Sequence, residues 1–361
     1  MTQKALDILS GKNRSFAASA LRCAMTAATP VYALANSIRN RLFDTGLKKQ
    51  TPLGRPTISV GNLTTGGTGK TPMVAHIVRT LLAMNHRPAI LLRGYKATAQ
   101  HGSDEAAVYN TEFGDRVVVI ANPSRVQGAK QALIANPKIS CFVLDDGFQH
   151  RKAARDLDLV LIDASNPFGY DHLLPRGLMR EPKSALKRAD AIIITRSNQV
   201  PPQAPESPEA PEASESLTKL DQQIQAITGK TPIAHASHQW VSLLNINNES
   251  CDLALLADGP VIAAIAIGNP DAFVQTLREH ASNVRDVIIE PDHYAWPPEV
   301  IHALVKRARL ESAILLTTEK DFVKWPTLEQ NAPVYRVNLE MGFASKSEQN
   351  AVMTLVIGVL D

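Results

Sequence analysis

The stretch with the most chemistry per residue is Gly66-Gly67-Thr68-Gly69-Lys70-Thr71. Glycines at this density let successive backbone N–H groups curl around phosphate oxygens. A lysine directly after the last glycine can reach the β- and γ-phosphates of a nucleotide, and the following threonine can ligate Mg²⁺. The general motif asks for glycine five residues before Gly69, where Thr64 stands. The tight GGTGKT run keeps three glycines and compensates. A second polar cluster, Asp145-Asp146-Gly147-Phe148-Gln149-His150, ends the apolar run Ser140–Leu144. A carboxylate at the C-terminal end of a buried strand is placed to hold Mg²⁺ or its waters.

These groups need elements to position them. Thr57–Val60 is a short β-rich run before the glycine loop, and Met73, Ile77, Val78, Leu81 and Leu82 follow it at helical spacing. Strand, glycine turn and helix N-terminus form the context of a phosphate-binding loop. Further buried-strand candidates are Ala89–Leu92, Val117–Ile120, Leu157–Ile162 and Ala191–Thr195. Their separation by helical or loop segments predicts an α/β fold, a P-loop NTPase-like, mostly parallel sheet with helices on both faces. Ligands of such sheets sit beyond the C-terminal strand edge. Arg93-Gly94-Tyr95, Asp145-Asp146, Asp163 and Thr195-Arg196 should all lie there. The Thr195–Asn198 turn reads as a strand end, with contact to a nucleotide base as the alternative.

The chain of 361 residues is 44% hydrophobic and 20% charged, which excludes wholesale disorder, a collagen-like fibre and a coiled coil. Its net charge of +3 is too small to suggest nucleic acid as a partner. Cys23, Cys141 and Cys251 are far apart and form no CxxC, which argues against a disulfide scaffold. No His/Cys ligand set suggests zinc. No run approaches the ~18 apolar residues of a spanning helix, and the diffuse apolar character of 15–35 does not read as a signal peptide.

Charge is uneven. Residues 1–55 hold nine lysines and arginines against two aspartates, a net +7. Phe16, Ala20, Ala24, Leu34, Ile38 and Leu42 recur at helical spacing, so this arm is expected to be a basic amphipathic helix. It either packs its apolar stripe on the main domain or lies in an anionic membrane interface. The main domain is expected over 56–231. Within it, residues 201–216 (PPQAPESPEAPEASES) have no large apolar residue and read as an exposed, disordered loop. A smaller α/β unit is expected over 232–344. Its strands would be Val261–Ile267, Val287–Glu290 and Ala313–Leu316, and its helices Asp271–His280 and Pro298–Arg309. Extended segments near Pro232–Leu244 and Pro333–Leu339 enter and leave it, as a two-segment hinge would. Residues 345–361 would form a closing helix.

With these blocks in hand the chain resembles the tetraacyldisaccharide 4′-kinase family. The resemblance rests on Arg41–Gly46, Ser59–Thr64, the GGTGKTP loop, Arg93-Gly94-Tyr95, DDGFQH, Leu174–Pro182, Asp292-His293-Tyr294 and Thr317–Asp321. It extends over most of the chain, and Thr64 then fits the family's own loop. The resemblance implies ATP as phosphate donor, Mg²⁺ as cofactor and phosphorylation of the 4′-hydroxyl of a tetraacylated glucosamine disaccharide 1-phosphate, in lipid A biosynthesis. It implies a peripheral protein on the cytoplasmic face of the bacterial inner membrane, and so favours the interfacial reading of the N-terminal arm. By position, Gly66, Gly67, Thr68, Gly69, Lys70 and Thr71 would hold nucleotide. Thr71, Asp145 and Asp146 would hold the metal. Arg180 would neutralise the transferring phosphoryl group, with Glu181, Gln149 and Arg125 in support. The family's catalytic aspartate lies in a Gly-Asp-Glu-Pro block. Its counterpart here is Gly102-Ser103-Asp104-Glu105-Ala106, with an inserted serine and no proline, so the register of Asp104 departs from the pattern. His293 matches the histidine that pairs with that aspartate from the second domain.

Other classes remain open on the residues alone. One is a P-loop ligase acting on a soluble carboxylate. Another is a nucleotide-switched adaptor or metal chaperone, although clustered Cys or His ligands are missing. A family member that binds without catalysing would follow from the altered Asp104 block.

Overall fold

The structure, a computed structural model, describes residues 3–94, 104–199, 213–292 and 294–360. Tyr95, Gly102, Ser103, His293 and the stretch 201–212, all singled out above, lie outside the described residues. The basic arm folds as two helices, α1 (Gln3–Ser10) and α2 (Phe16–Asp44). Ser15 caps α2, its side chain accepting from the Ala18 N–H.

The chain divides into two compact units. In the larger (4–238 and 341–361), β1 (Thr57–Asn62) leads through the glycine loop into α3 (Lys70–Ala83). There follow β2 (Pro88–Leu92), α4 (Asp104–Phe113), β3 (Val118–Ala121), α5 (Arg125–Ala135), β4 (Cys141–Asp145), β5 (Leu157–Asp163) and β6 (Ala191–Thr195). Next come α6 (Ala213–Thr228) and β7 (Ala234–Asn245). The strand order is β3-β2-β4-β1-β5-β6-β7, every pairing parallel. The central strands are buried on both faces, which is why their sequences run apolar instead of alternating. Val143 of β4 joins α3 and α4 in one core, while its neighbours Phe142 and Leu144 join Ala129 and Ala132 of α5 in another. Each fully buried aliphatic side chain contributes roughly 1.5–3 kcal/mol.

The smaller unit (239–340) adds β8 (Ser250–Cys251), β9 (Pro260–Ile265), α7 (Pro270–His280), β10 (Asn283–Ile289), α8 (Pro298–Leu310), β11 (Ile314–Thr318), the one-turn α9 (Glu319–Phe322) and β12 (Val334–Phe343). Its order is β10-β9-β11-β12, again parallel. The segments read as a hinge are β7 and β12, neighbouring strands that each run from one unit into the other. α10 (Lys346–Gly358) closes the chain and buries Val352, Met353 and Val356 in the larger unit.

One expectation needs correction. The end of the low-complexity stretch is not loop, because residues from Ala213 onward belong to α6. Leu217, Leu220, Ile224 and Ile227 share one face of that helix and pack on the core beside β5 and β6. Their 3-4-3 spacing carries the helix back into the polar sequence before it.

Candidate phosphoryl-transfer site

The glycine loop joins the C-terminal end of β1 to the N-terminus of α3, whose cap, Gly69, has φ +85°. A side chain there would meet the His238 imidazole as well as the backbone penalty. Burial lowers His238 to about pH 3, so it stands neutral beside the loop. The loop is braced from the ends of β5 and β6. The Thr195 hydroxyl donates to the Thr68 carbonyl at 2.9 Å, and the Arg196 guanidinium bridges the Gly67 carbonyl and the Asp163 carboxylate. The Thr195-Arg196 turn is therefore a strut of the loop.

Lys70 Nζ donates to Asn62 Oδ1 at 3.1 Å and lies 3.5 Å from Asp146 Oδ1. Arg180 Nη1 reaches both Asp146 oxygens at 2.8 and 2.7 Å and Gln149 Oε1 at 3.2 Å. Gln149 in turn donates to the Asn62 carbonyl at 2.8 Å. Lys70, Asp146, Gln149 and Arg180 thus form one network at the end of β1. Asp146 sits at φ +55°, in the left-handed region that non-glycine residues rarely adopt. Gly147 follows because a Cβ there would collide with the Ser59 side chain.

The two adjacent aspartates live in opposite fields. Burial pushes Asp145 up to about 6, only partly offset by Lys70. Burial would raise Asp146 as well, but Lys70 and Arg180 overcome it and hold that carboxyl down at about 2. The Tyr109 hydroxyl donates to Asp145 Oδ2 at 2.8 Å. Arg125 is 2% exposed and donates to the Asp145 carbonyl at 2.9 Å and the Asn122 carbonyl at 3.1 Å. It props the end of β4, and burial lowers its guanidinium to about 10.

Helix α2 braces the same site with its polar side. Tyr32 Oη and Asn36 Nδ2 each donate to the Arg180 carbonyl at 3.0 Å, and Asn40 Nδ2 donates to Glu181 Oε2 at 2.7 Å. Glu181 is fully buried and takes Arg188 on both oxygens, so it anchors Arg180 and does not face solvent. The apolar side of α2 does not pack on the domain. Phe16, Val31, Leu34 and Ile38 are 90%, 72%, 60% and 52% exposed. No helix among the described residues is long and apolar enough to cross a membrane.

Asp104 is the first residue of α4. In the smaller unit, Lys320 Nζ pairs with Asp292 Oδ1 at 3.2 Å beside the position of His293. Asp321 of the same Thr317–Asp321 block is fully buried. Four contributors escaped the sequence reading: Tyr109, Tyr32, Asn36 and Asn40. Each acts on a residue far along the chain, and nothing in local spacing marks them.

The profile of the tetraacyldisaccharide-1-P 4′-kinase family matches residues 21–357. A tetraacyldisaccharide 4′-kinase from Geobacter metallireducens is 35% identical over 335 residues, 86% of this chain and 90% of the relative. One from Geobacter sulfurreducens is 31% identical over 353 residues, covering 92% and 93%. The solved structure of "apo" form LpxK from Aquifex aeolicus in complex with ATP superposes with a TM-score of 0.70 at 28% identity, over 94% of this chain and all of that one. The glycine loop, the acid pair and the Arg180-Glu181 anchor all fall inside the matched span, and the chain belongs to the tetraacyldisaccharide-1-P 4′-kinase family.

Proposed function

We propose that this chain transfers the γ-phosphoryl group of ATP to the 4′-hydroxyl of a tetraacylated glucosamine disaccharide 1-phosphate, making the bisphosphate precursor of lipid A. The observation that carries the reading is the Lys70–Asp146–Arg180–Gln149 network at the mouth of the glycine loop, in a chain of this kinase family. The N–H groups of the loop and Lys70 bind the β- and γ-phosphates. Arg180 rests on Asp146 and lies ready to pair with the oxygens of the transferring group, which carries negative charge throughout a loose transition state. Its main chain is pinned by Tyr32 and Asn36, so the guanidinium acts from a fixed base. Asp104 accepts the proton of the sugar hydroxyl as the new P–O bond develops, with His293 in support of that carboxylate.

Thr71 and Asp145 suit Mg²⁺, with Asp146 adjoining. All are hard oxygen donors, and Mg²⁺ beside nucleotide phosphates needs only one or two carboxylates. The upward push on Asp145 marks a buried carboxylate short of positive charge, which a cation beside it would supply. A Mg²⁺ ion held by these residues would supply neutralisation of charge on the phosphate oxygens.

We further propose that the exposed stripe of α2, with the basic charge around it, seats the protein on the anionic cytoplasmic face of the inner membrane, where the acyl chains of the acceptor remain. Incubation with Mg-ATP and detergent-dispersed tetraacyldisaccharide 1-phosphate, read by mass spectrometry, should yield the bisphosphate. ATP binding without product would overturn the kinase reading. In flotation with phosphatidylglycerol-containing vesicles, Leu34→Glu with Ile38→Glu should abolish co-flotation, and unchanged flotation would remove α2 as the anchor.

A further inference from the structure

Tyr109 is the one polar side chain on the buried face of α4, and it is 0% exposed. Its ring lies in an apolar core with Met73, Ile77, Val143 and Phe113. Phe113, one turn on and stacked at 6.5 Å, fills the same core without a hydroxyl. Packing therefore gives no reason for an O–H at position 109, and a buried hydroxyl is costly unless it is bonded. The hydroxyl is spent on Asp145, thirty-six residues away, at 2.8 Å from Oδ2. The Thr71 side chain also lies within reach of the Tyr109 hydroxyl. One phenol thus meets both residues that suit a cation, one on β4 and one on α3. It also stands five residues after Asp104, about 7.5 Å along the helix axis.

We propose that Tyr109 is a positioning residue: its buried hydroxyl holds the Asp145 carboxylate in one orientation for the cation and ties α4, the helix that begins at Asp104, to the end of β4. This rests on the reading of Asp145 as a metal-holding group. A carboxylate free to rotate must be reordered each time Mg²⁺ binds, so loss of the hydroxyl should raise the Mg²⁺ requirement and leave metal-free nucleotide binding alone. Tyr109→Phe keeps the ring and the core.

The test titrates Mg²⁺ into the full chain with a fluorescent ATP analogue, and measures analogue binding in EDTA. Three variants are compared: Tyr109→Phe, Asp145→Asn and Phe113→Leu. Hydrogen bonds to charged groups set the scale at roughly ten-fold. Tyr109→Phe should need about ten-fold more Mg²⁺ for half-saturation with its EDTA binding unchanged, and Asp145→Asn should need still more. Phe113→Leu disturbs the same core without touching Asp145, so it should lower Tm and leave the Mg²⁺ midpoint in place. An unchanged or lower midpoint in Tyr109→Phe, with Asp145→Asn impaired, overturns the proposal and spares the metal assignment. An equal shift in Phe113→Leu overturns it in favour of packing. An unchanged midpoint in Asp145→Asn overturns the metal assignment and the proposal with it.

Discussion

Both units of this protein place an aspartate at or just beyond the C-terminal end of a parallel strand, and the two have opposite fates. In the smaller unit Asp321 follows β11. Its Oδ2 accepts from the Ala266 N–H at 2.9 Å and the Thr318 hydroxyl at 2.8 Å, while Oδ1 takes the Trp296 indole and Lys324, each at 3.3 Å. Every side of that carboxylate is occupied by its own unit. In the larger unit Asp145 ends β4 with Tyr109 on one oxygen and is pushed up to about 6, while its neighbour Asp146 is held at about 2 by Lys70 and Arg180. The same topology yields a structural staple in one place and a pair of carboxylates under electrostatic tension in the other. What separates them is saturation: a satisfied buried acid orders a fold, and an under-compensated one beside cationic side chains is poised for chemistry.

The comparison breaks most visibly in turnover. Asp104→Ala and His293→Ala should each cut phosphoryl transfer by about 10²–10⁴-fold, the usual range for a general base and its support. Near-normal turnover in both would remove that pair from the mechanism. Asp321→Ala should act on stability instead. It strips the acceptor from the Ala266 and Trp296 N–H groups inside a core, and should cost about 3 kcal/mol. Trp240, Trp296 and Trp325, the chain's three tryptophans, all lie in the smaller unit, so a urea titration read by tryptophan fluorescence reports this loss directly.

Asp145→Asn sharpens the contrast through its pH dependence. A carboxyl raised to about 6 binds its proton more tightly folded than unfolded, so metal-free stability falls as pH climbs from about 4 to 6. The amide removes that fall. It should stabilise the metal-free protein by about 1–3 kcal/mol at pH 7 and have little effect at pH 4. Circular dichroism melts in EDTA at the two pH values check it, and an equal effect at both would show that burial of this charge is not the cause. The Asp321 variant should show no comparable gain at either pH.

Much of the larger unit was legible along the chain. Its five strands after the glycine loop were expected within a residue or two, because strands buried on both faces read as unbroken apolar runs. In the smaller unit the strands and helices named from the sequence lie at β9 to β11, α7 and α8. α6 was missed because a proline- and glutamate-rich stretch runs into its first turn and hides a sparse apolar face. For the site, the glycine loop and the acid pair announce themselves by residue type. The Asp163–Arg196–Gly67 strut was only half visible: both charged residues were placed on the right edge, but their contact joins β5, β6 and the loop. The N-terminal arm was read as amphipathic, with either of two partners for its apolar stripe. In the structure its polar residues do the docking and the stripe stays in solvent.

The sequence by itself determined the alternation of strand and helix, the phosphate-gripping loop and the basic charge of the first 55 residues. These depend on neighbours in the chain, on glycine freedom, apolar runs and charge spacing. Only the tertiary structure decided which aspartate is relaxed and which is strained, what Glu181 anchors, and why residue 109 carries a hydroxyl. Those outcomes depend on dielectric and on partners brought from tens to more than a hundred residues away, such as Asn40 to Glu181 and Tyr109 to Asp145. Burial and long-range pairing are properties of the packed fold, and no local pattern of residues encodes them.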